Sequence, residues 1–349
     1  MNEITIGSRK LGPGCPSFII GELSGNHNGD YQLAVDTVHE MHKAGVDCLK
    51  LQTAKPDSIT IDSRKPDFLI KGGTLWDDKS LFELYTEVYT PWEWHKPLQK
   101  LAHSLGMEFF SSPFDHKAVE FLDELNVPAY KIASFEITDI PLIEQAASKG
   151  KPIIMSTGIA REEDIQDAVD ACRRVGNEQI ILLKCTSSYP TPLEEVNLNS
   201  IALLRDKFNV QVGLSDHTVG YIVPLGAVAL GATLIEKHFI MSRSIGGADA
   251  AFSMEPEEFR QMISNVRDLE KAMGKATMEL SEKSLKNRDF SRSLYVVNDI
   301  SAGEVLSNEN VRSIRPGHGM APKHLHEIIG RKAKLNIEKG TPLSPELFD

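Results

Sequence analysis

Side chains that could bind anions, hold metals or transfer protons recur along this chain, each time at the end of a short apolar run. We interpret eight such runs as β-strands. The polar residues at or just beyond their ends are Glu22, Asn26 and His27; Lys50 and Gln52; Ser111 and Ser112; Lys131, Ser134 and Glu136; Ser156 and Thr157; Lys184, Thr186 and Ser187; Ser215, Asp216 and His217; and Glu236, Lys237 and His238. Because all eight ends are polar, we expect them to meet in one site.

Two histidines, His217 and His238, are candidate ligands of a divalent metal ion. Side chains alternate between the faces of a strand, so His217 shares a face with Ser215, and His238 with Glu236. Adjacent strands lie roughly 4.8 Å apart, which would let two imidazoles bind one ion. Histidine with oxygen ligands suits manganese, cobalt or magnesium as well as zinc. The alternative is that each histidine only hydrogen-bonds a loop, but the pair in register favours the metal.

Lys50, Lys131 and the serines at the strand ends predict an anion site. Ammonium groups bind phosphate as point charges, and hydroxyl groups orient its oxygens. The alternative is that the lysines extend to the rim of the fold. For Lys50 that alternative is weak, because the lysine lies between Leu49 and Leu51 within a strand.

The eight apolar runs alternate with amphipathic helical patterns up to about residue 272. The runs are 18–23, 48–53, 107–112, 129–134, 152–157, 180–186, 211–216 and 234–239. This alternation predicts an α/β fold, a (β/α)8 TIM barrel over residues 1–280. A doubly wound sheet is the competing fold, and the missing GxGxxG after the first strand disfavours it.

Two further segments stand out from the barrel pattern. The connection 54–91 is long, and we expect it to cover or shape the site. Trp76 within it, and Trp92 and Trp94 beside it, either pack this lid or stack on a sugar. Residues 281–289 are polar and predict a linker. Residues 290–349 contain a short repeat, at 300–307 and 337–344, and predict a small β-rich domain.

Composition excludes several classes of partner. The formal net charge of −11 argues against nucleic acid and anionic membranes. There is no run of 18 apolar residues and no signal-peptide pattern at the N-terminus. The four cysteines are scattered, which is typical of reduced thiols. We therefore expect a cytoplasmic protein, and the net charge does not argue against an anionic small substrate, because local lysines can outweigh it.

Eight motifs along the chain resemble those of the sialic acid synthase family. They are, in order, GELSGNHNGD, KLQT, SSPFD, KIASFEI, STGIA, KCTSSYPTP, GLSDHT and IEKHF. The tail with NVRSIRPGHGM resembles that family's C-terminal antifreeze-like (SAF) domain. GGTLWDDKSLFELY, TPWEWH and KIASFEITDIPLIE are most similar to the pseudaminic acid branch of the family. The other branches usually carry glycine where this chain has Phe135.

The resemblance implies a reaction. Phosphoenolpyruvate attacks the aldehyde of an open-chain N-acetylated sugar through its methylene carbon, and a divalent metal ion (Mn²⁺, Co²⁺ or Mg²⁺) polarises that aldehyde. The cation left at the former enol carbon takes up water, and phosphate leaves by C–O cleavage. For the pseudaminic acid branch the sugar is 2,4-diacetamido-2,4,6-trideoxy-β-L-altropyranose.

The resemblance also implies roles for individual residues. Metal ligands are His217 and His238, and the catalytic set is Glu22, Lys131, Glu136 and His238. Residues for phosphoenolpyruvate are Lys50, Ser112, Lys131, Ser134, Ser156, Ser187 and Ser215. Residues for the sugar are Glu22, Gln52, Phe135, Glu136, Tyr189, Asp249 and Arg315. Neuraminate synthases usually carry asparagine at the position of Ser187. In the family the arginine matched by Arg315 contacts the sugar in the partner subunit's barrel, which implies a domain-swapped homodimer.

Other functions stay open at this stage. The sugar could be N-acetylmannosamine or a legionaminic acid precursor. The shikimate-pathway synthase that uses phosphoenolpyruvate is disfavoured by the C-terminal domain and by GLSDHT. A metal-dependent hydrolase barrel would commonly need HxH after the first strand, where only His27 occurs. A non-catalytic carbohydrate-binding protein is disfavoured by the polar ends of all eight strands.

Overall fold

Eight parallel strands close into a barrel, which confirms the predicted fold class. The computed structural model describes residues 3–71 and 76–349. A short antiparallel hairpin of β1 (Ile4–Ile6) and β2 (Arg9–Leu11) precedes the barrel. The barrel strands are β3 (Phe18–Glu22), β4 (Cys48–Thr53), β5 (Glu108–Pro113), β6 (Tyr130–Ile132), β7 (Ile153–Ser156), β8 (Ile180–Cys185), β9 (Gln211–Asp216) and β10 (Leu234–His238). They are hydrogen-bonded in sequence order, and β10 pairs with β3 to close the ring.

The segments that connect the barrel strands contain helices, which surround the barrel. They are α1 (Tyr31–Ala44), α2 (Pro56–Ile59), α3 (Leu81–Val88), α4 (Trp92–Ser104), α5 (His116–Glu124), α6 (Ile140–Ser148), α7 (Glu162–Arg174), α8 (Ser200–Phe208), α9 (Ile222–Ala229) and α10 (Pro256–Met273). Among the described residues, no helix is both long and apolar enough to span a bilayer.

The first barrel helix shows how local sequence fixes an element. The Asp30 side chain accepts hydrogen bonds from the backbone N–H groups of Gln32 and Leu33, which caps the N-terminus of α1. Gly45 ends the helix at φ 91°, a left-handed conformation that glycine adopts without strain. Between them, Ala34, Val38 and Met41 are buried at helical spacing against the barrel. The helix is therefore defined at both ends and on one face.

Close approach of two strands sets the geometry at one side of the barrel. Gly213 of β9 lies so near β10 that a Cβ atom there would be 2.5 Å from the Leu234 carbonyl oxygen. Only glycine fits without moving a strand. In the resulting register, Ser215 lies opposite Glu236 and Asp216 opposite Lys237. The ends of β9 and β10, which lead into His217 and His238, are thereby brought side by side.

The long connection 54–91 contains helices α2 and α3 in addition to loop. Residues 72–75 of this connection lie outside the described residues. Ser80 and Glu83 form a reciprocal capping box at the start of α3. The end of α3 packs against the loop after β3, because a Cβ atom at Gly25 would be 2.8 Å from that of Val88. Thr90, just beyond, is hydrogen-bonded to His27 at 3.1 Å. Helix α3 is thus attached directly over the first barrel strand.

The chain divides into two units, Met1–Gly274 and Lys275–Asp349. The second contains α11 (Glu282–Asn287) within the predicted linker, an antiparallel pair of β11 (Ser293–Val296) and β12 (Val311–Ile314), and α12 (Leu325–Ile328). Its two repeat copies pair with each other, since Ile300 bridges Ile337. The glycines of the repeat, Gly303 and Gly340, adopt φ values of 83° and 90°. Each repeat copy therefore contains a glycine turn, and the pairing of Ile300 with Ile337 is an isolated bridge.

Candidate active site

A pocket opens at the carboxyl ends of the barrel strands, where the sequence predicts a site. We call its polar residues the polar side and its apolar residues the apolar side; the two meet where Tyr189 and Phe252 contact the ring of His217. The polar side contains Glu22, Lys50, Gln52, Lys131, Ser134, Glu136, Ser156, Ser215, His217, Glu236, His238 and Asp249. The apolar side contains Trp76, Leu84, Tyr85, Val88, Phe114, Phe135, Tyr189 and Phe252.

Buried charges form a continuous ladder across the floor of the pocket. Lys50 Nζ lies 2.8 Å from Glu22 Oε1 and 3.2 Å from Glu236 Oε1. Lys131 Nζ lies 3.6 Å from the same Glu236 oxygen and donates a 2.8 Å hydrogen bond to Ser156 Oγ. These four charged side chains are at most 3% exposed. Burying charges is costly unless partners compensate them, and here each of the two ammonium groups lies against a carboxylate.

Burial and pairing act in opposite directions on the pKa values of this ladder. Burial would raise the pKa of Glu22, but Lys50 and His238 outweigh it and hold that pKa well below its usual range. Burial would lower the pKa of Lys50, but Glu22 and Glu236 raise it. Burial is the largest effect on Lys131 and lowers its pKa. Glu22 and Lys50 are therefore a charged pair at neutral pH.

Several buried polar atoms in the described residues have no hydrogen-bond partner within the protein, and most are in or beside this pocket. They are Ser112 Oγ, Glu136 Oε2, Ser187 Oγ, Glu236 Oε2, His238 Nδ1 and Asn26 Oδ1. An unsatisfied buried polar group costs about 1–3 kcal/mol, and such groups are rare in folded proteins. Their concentration here is typical of a site that a polar ligand completes.

His217 and His238 lie side by side above the ladder. Their ring centroids are 5.4 Å apart. His217 Nδ1 is 3.2 Å from the Thr186 carbonyl oxygen, which can only accept, so Nδ1 carries the proton and Nε2 keeps the lone pair that a metal requires. His238 Nε2 is 3.3 Å from Glu22 Oε2, and its Nδ1 is 3.7 Å from Asp249 Oδ2. Two adjacent imidazoles suit a divalent cation whose remaining ligands are oxygens.

The described residues do not supply a third protein ligand beside the two histidines. Within residues 3–71 and 76–349, no group of three or more histidine, cysteine, aspartate or glutamate side chains is arranged to hold a metal ion. Substrate and water oxygens would have to supply the remaining ligands of any ion held here.

The chain matches known proteins in both of its units. The NeuB family model matches residues 37–278, and the SAF domain model matches residues 291–349. The chain belongs to the NeuB family. The family resemblance and the C-terminal antifreeze-like domain that the sequence predicts are thereby confirmed.

Relatives of the same family cover almost the whole chain. It is 47% identical to the pseudaminic acid synthase of Campylobacter jejuni subsp. jejuni serotype O:23/36 (strain 81-176), over 95% of this chain and 96% of that protein. It is 46% identical to the pseudaminic acid synthase of Helicobacter pylori, over 95% and 97% of the two chains. A crystal structure of the N-acetylneuraminic acid (sialic acid) synthetase of Leptospira borgpetersenii is similar with a TM-score of 0.74 and 31% identity, over 82% of this chain and 95% of that one.

Most residues that the sequence predicts for a NeuB-family site line this pocket. Lys50, Lys131, Ser134, Ser156 and Ser215 do so among the phosphoenolpyruvate candidates. Ser112 is buried on β5, opposite Gln52 in the strand register. Ser187 lies near Ser134, because a Cβ atom at Gly158 would be within 2.7 Å of both hydroxyl oxygens.

The sugar candidates divide between the two units. Those that line the pocket are Glu22, Gln52, Phe135, Glu136, Tyr189 and Asp249. Arg315 follows β12 in the second unit and is exposed.

The tryptophans and His27 have different environments. Trp76 lines the pocket, and its Nε1 donates to the Ala248 carbonyl oxygen at 3.1 Å. Trp92 stacks on Phe121 on the outer surface, and Trp94 packs against the ring of His27. Of these three, Trp76 is therefore the candidate for a sugar contact. His27 is fully buried, and burial lowers its pKa to about 4.

Sequence reasoning gave no role to three kinds of pocket residue. Glu236 binds both lysines, and its parity with His238 could have revealed it. Cys185 lines the pocket with its thiol 4.0 Å from His217 Nδ1. Leu84, Tyr85 and Val88 of α3 form much of the apolar side, and no local signal distinguishes them from ordinary helix residues.

The buried carboxyl group of Glu136 should make the free energy of unfolding depend on pH. Burial raises its pKa from 4.5 to about 7. Between these values the folded state binds more protons than the unfolded state, so the free energy of unfolding falls as pH rises. Glutamine mimics the protonated acid, so Glu136→Gln should match the wild type near pH 4.5 and be more stable above pH 7 by on the order of 2 kcal/mol. Urea unfolding at both pH values measures this. An equal gain from Glu124→Gln, on the exposed surface of α5, would show only a general charge effect.

Proposed function

We propose that this chain is a pseudaminic acid synthase. It joins phosphoenolpyruvate to the open-chain form of 2,4-diacetamido-2,4,6-trideoxy-β-L-altropyranose, and its products are pseudaminic acid and phosphate. The observation that carries the proposal is the identity of 46–47% to two pseudaminic acid synthases over about 95% of the chain. The buried lysine pair and the mixed polar and apolar pocket support it.

The polar side of the pocket suits phosphoenolpyruvate. Its phosphate and carboxylate need positive charge and hydroxyl donors in a place from which water is excluded. Lys50 and Lys131 supply the charge. The proposed hydroxyl contacts are Ser112, Ser134, Ser156, Ser187 and Ser215. Since Glu236 already neutralises part of the lysine charge, an incoming phosphate competes with Glu236 for both ammonium groups.

The two histidines would hold the divalent metal ion. When bound, such an ion acts as a Lewis acid toward the sugar aldehyde. His217 offers Nε2 for this purpose because Thr186 fixes the proton on Nδ1. Glu22 contacts the His238 ring at Nε2, and Asp249 lies near its Nδ1 without a hydrogen bond to it. We propose manganese, cobalt or magnesium, because these ions accept a sphere completed by oxygen ligands.

The reaction balances with one water molecule. A C–C bond forms between the methylene carbon of phosphoenolpyruvate and the aldehyde carbon, and water adds to the former enol carbon. The C–O bond to phosphate then breaks and leaves a ketone. One proton of the water ends on the sugar oxygen and the other leaves with phosphate. Glu136, whose pKa is about 7, is the group suited to pass a proton at neutral pH. Lys131 and the ionised Glu22 stabilise charge around it.

The apolar side of the pocket suits a deoxy sugar. The proposed substrate carries a methyl group and a second acetamido group where N-acetylmannosamine carries hydroxyl groups. Leu84, Tyr85 and Val88 on α3 face the strand ends, together with Phe135. Methyl and acetyl groups gain from contact with such side chains. N-acetylneuraminate or legionaminate synthesis is the alternative, with the same chemistry on another sugar.

The test of this function is the mass of the product. Purified protein is incubated with phosphoenolpyruvate and each of three sugars: the diacetamido-trideoxy sugar, the legionaminic acid precursor and N-acetylmannosamine. We expect the nonulosonic acid of the first sugar, with one phosphate released per product. Condensation with N-acetylmannosamine alone would contradict the pseudaminate assignment and leave a synthase.

We also propose a cytoplasmic location, in keeping with four cysteines that form no disulfide.

We further propose a homodimer in which Arg315 contacts the sugar bound in the other subunit's barrel. An Arg315→Ala subunit mixed with a Lys50→Ala subunit should then regain activity, since one site of the heterodimer has both groups. A mixture of Lys50→Ala with His238→Ala is the control, because both changes are in the barrel and no site is intact. If the first mixture regains no activity, Arg315 does not act in the other subunit's site.

A further inference from the structure

A fully buried ion pair lies behind the two histidines, on the opposite face of strands β9 and β10. Lys237 Nζ is 2.5 Å from Asp216 Oδ2, and the two side chains are 0% and 3% exposed. Side chains alternate along a strand, so Lys237 faces away from the lumen that His238 and Glu236 line. The pair therefore cannot serve substrate directly.

The same pair also fixes the backbone around His217. Asp216 Oδ1 accepts a 3.0 Å hydrogen bond from the Thr218 N–H, and Asp216 Oδ2 accepts one from the Thr218 hydroxyl, also at 3.0 Å. Lys237 Nζ donates to the Thr218 carbonyl oxygen at 2.6 Å. His217 is thus enclosed between two residues that bind each other. Since Lys237 directly precedes His238, one network of contacts connects the backbones of both histidines.

Stability alone does not account for this arrangement. Removing two charges from water costs several kcal/mol for each ion, and an apolar pair of similar size is often as stable or more so. What the ion pair adds is geometry, because four hydrogen bonds hold Asp216, Thr218 and Lys237 together. His217 lies between the first two of these residues, and His238 directly follows the third.

We propose that Asp216 and Lys237 are positioning residues that set the spacing of His217 and His238 and thereby the affinity for a divalent metal ion. The inference rests on the proposed metal site. It assigns to the outer face of the barrel a role in metal affinity that is separate from substrate binding.

The test measures Mn²⁺ binding in the absence of substrate, by electron paramagnetic resonance of the free ion. The variants are Lys237→Met, Asp216→Asn and the double variant Asp216→Asn/Lys237→Met. The single variants leave an unpaired buried charge and should unfold at lower temperature. The double variant removes both charges, so it should recover much of the stability. Its Kd for Mn²⁺ should nevertheless be weaker than that of the wild type by about tenfold, the lower end of the loss seen when a direct support of a metal ligand is removed.

The control is another ion pair of the barrel, far from the histidines along the strands. Arg267 of α10 binds Asp47, which precedes β4, at 3.1 Å. Arg267→Met should lower stability and leave the Kd for Mn²⁺ unchanged. Should the single variants not fold, the double variant and Lys237→Arg carry the comparison.

Two outcomes would contradict the inference in different ways. If the folded double variant binds Mn²⁺ like the wild type, the ion pair is only structural and the metal site stands. If the wild type itself binds no Mn²⁺, the proposed metal site falls and the positioning role falls with it.

Discussion

Replacing His217 or His238 by alanine is expected to reduce turnover by about a thousandfold or more, because the electrophile that polarises the aldehyde is lost. A chelator should have the same effect on the wild type. With two protein ligands and the rest of the sphere in water or substrate, the ion should exchange readily. Added manganese, cobalt or magnesium should then restore turnover of the chelated wild type and not of the variants. Release of phosphate measures all of these reactions.

Controls separate metal loss from misfolding. His103→Ala changes an exposed histidine on α4 and should keep both turnover and its response to metal. Circular dichroism should show that the His217 and His238 variants are folded, since each ring contributes to a pocket wall rather than to the hydrophobic core. Full turnover in excess chelator, or in the double histidine variant, would rule out the metal.

The second large effect is expected in the choice of sugar. An apolar pocket rejects an added hydroxyl group only weakly, by about a hundredfold. A missing acetamido group leaves a buried partner unsatisfied, at a cost of about 1–3 kcal/mol. Together these effects should make kcat/KM for the diacetamido-trideoxy sugar roughly a thousandfold higher than for N-acetylmannosamine. Steady-state kinetics with both sugars measures the ratio.

A variant tests whether the apolar side of the pocket causes this preference. Phe135→Gly removes an apolar side chain from the pocket and should narrow the ratio between the two sugars several-fold. Leu203→Ala removes a similarly exposed apolar side chain from α8, away from the pocket, and should leave the ratio unchanged. Comparable kcat/KM for the two sugars in the wild type would contradict the pseudaminate assignment.

The barrel and the polar half of its site could be predicted because both depend on local pattern. Strand periodicity places Lys50, Gln52, Glu236 and His238 on the inner face, and closure of the ring then brings them together. Glu22 and Lys50 are paired in the strand register, as the alternation requires. Short-range sequence is sufficient for this part of the site because every strand contributes its carboxyl end to the same rim.

The part of the apolar side that α3 contributes could not be predicted, because its position depends on the path of a long connection. Leu84 and Val88 reach the pocket only because α3 packs onto Gly25, a contact between segments about sixty residues apart. The hairpin β1–β2 was not predicted either, since three-residue strands are too short to show a period. The ion pair of Asp216 and Lys237 is visible in sequence only as two more polar strand ends. Only the folded structure shows that this pair lies on the face of the strands away from the lumen.

The most direct test of the condensation itself follows the bridging oxygen of phosphoenolpyruvate. That oxygen is labelled with ¹⁸O, and the reaction with the diacetamido-trideoxy sugar is analysed by mass spectrometry of both products. We predict a nine-carbon nonulosonic acid together with phosphate that carries one ¹⁸O, because the C–O bond breaks and the bridging oxygen leaves with phosphorus. Unlabelled phosphate, or phosphate release without a nine-carbon product, would contradict the proposed reaction.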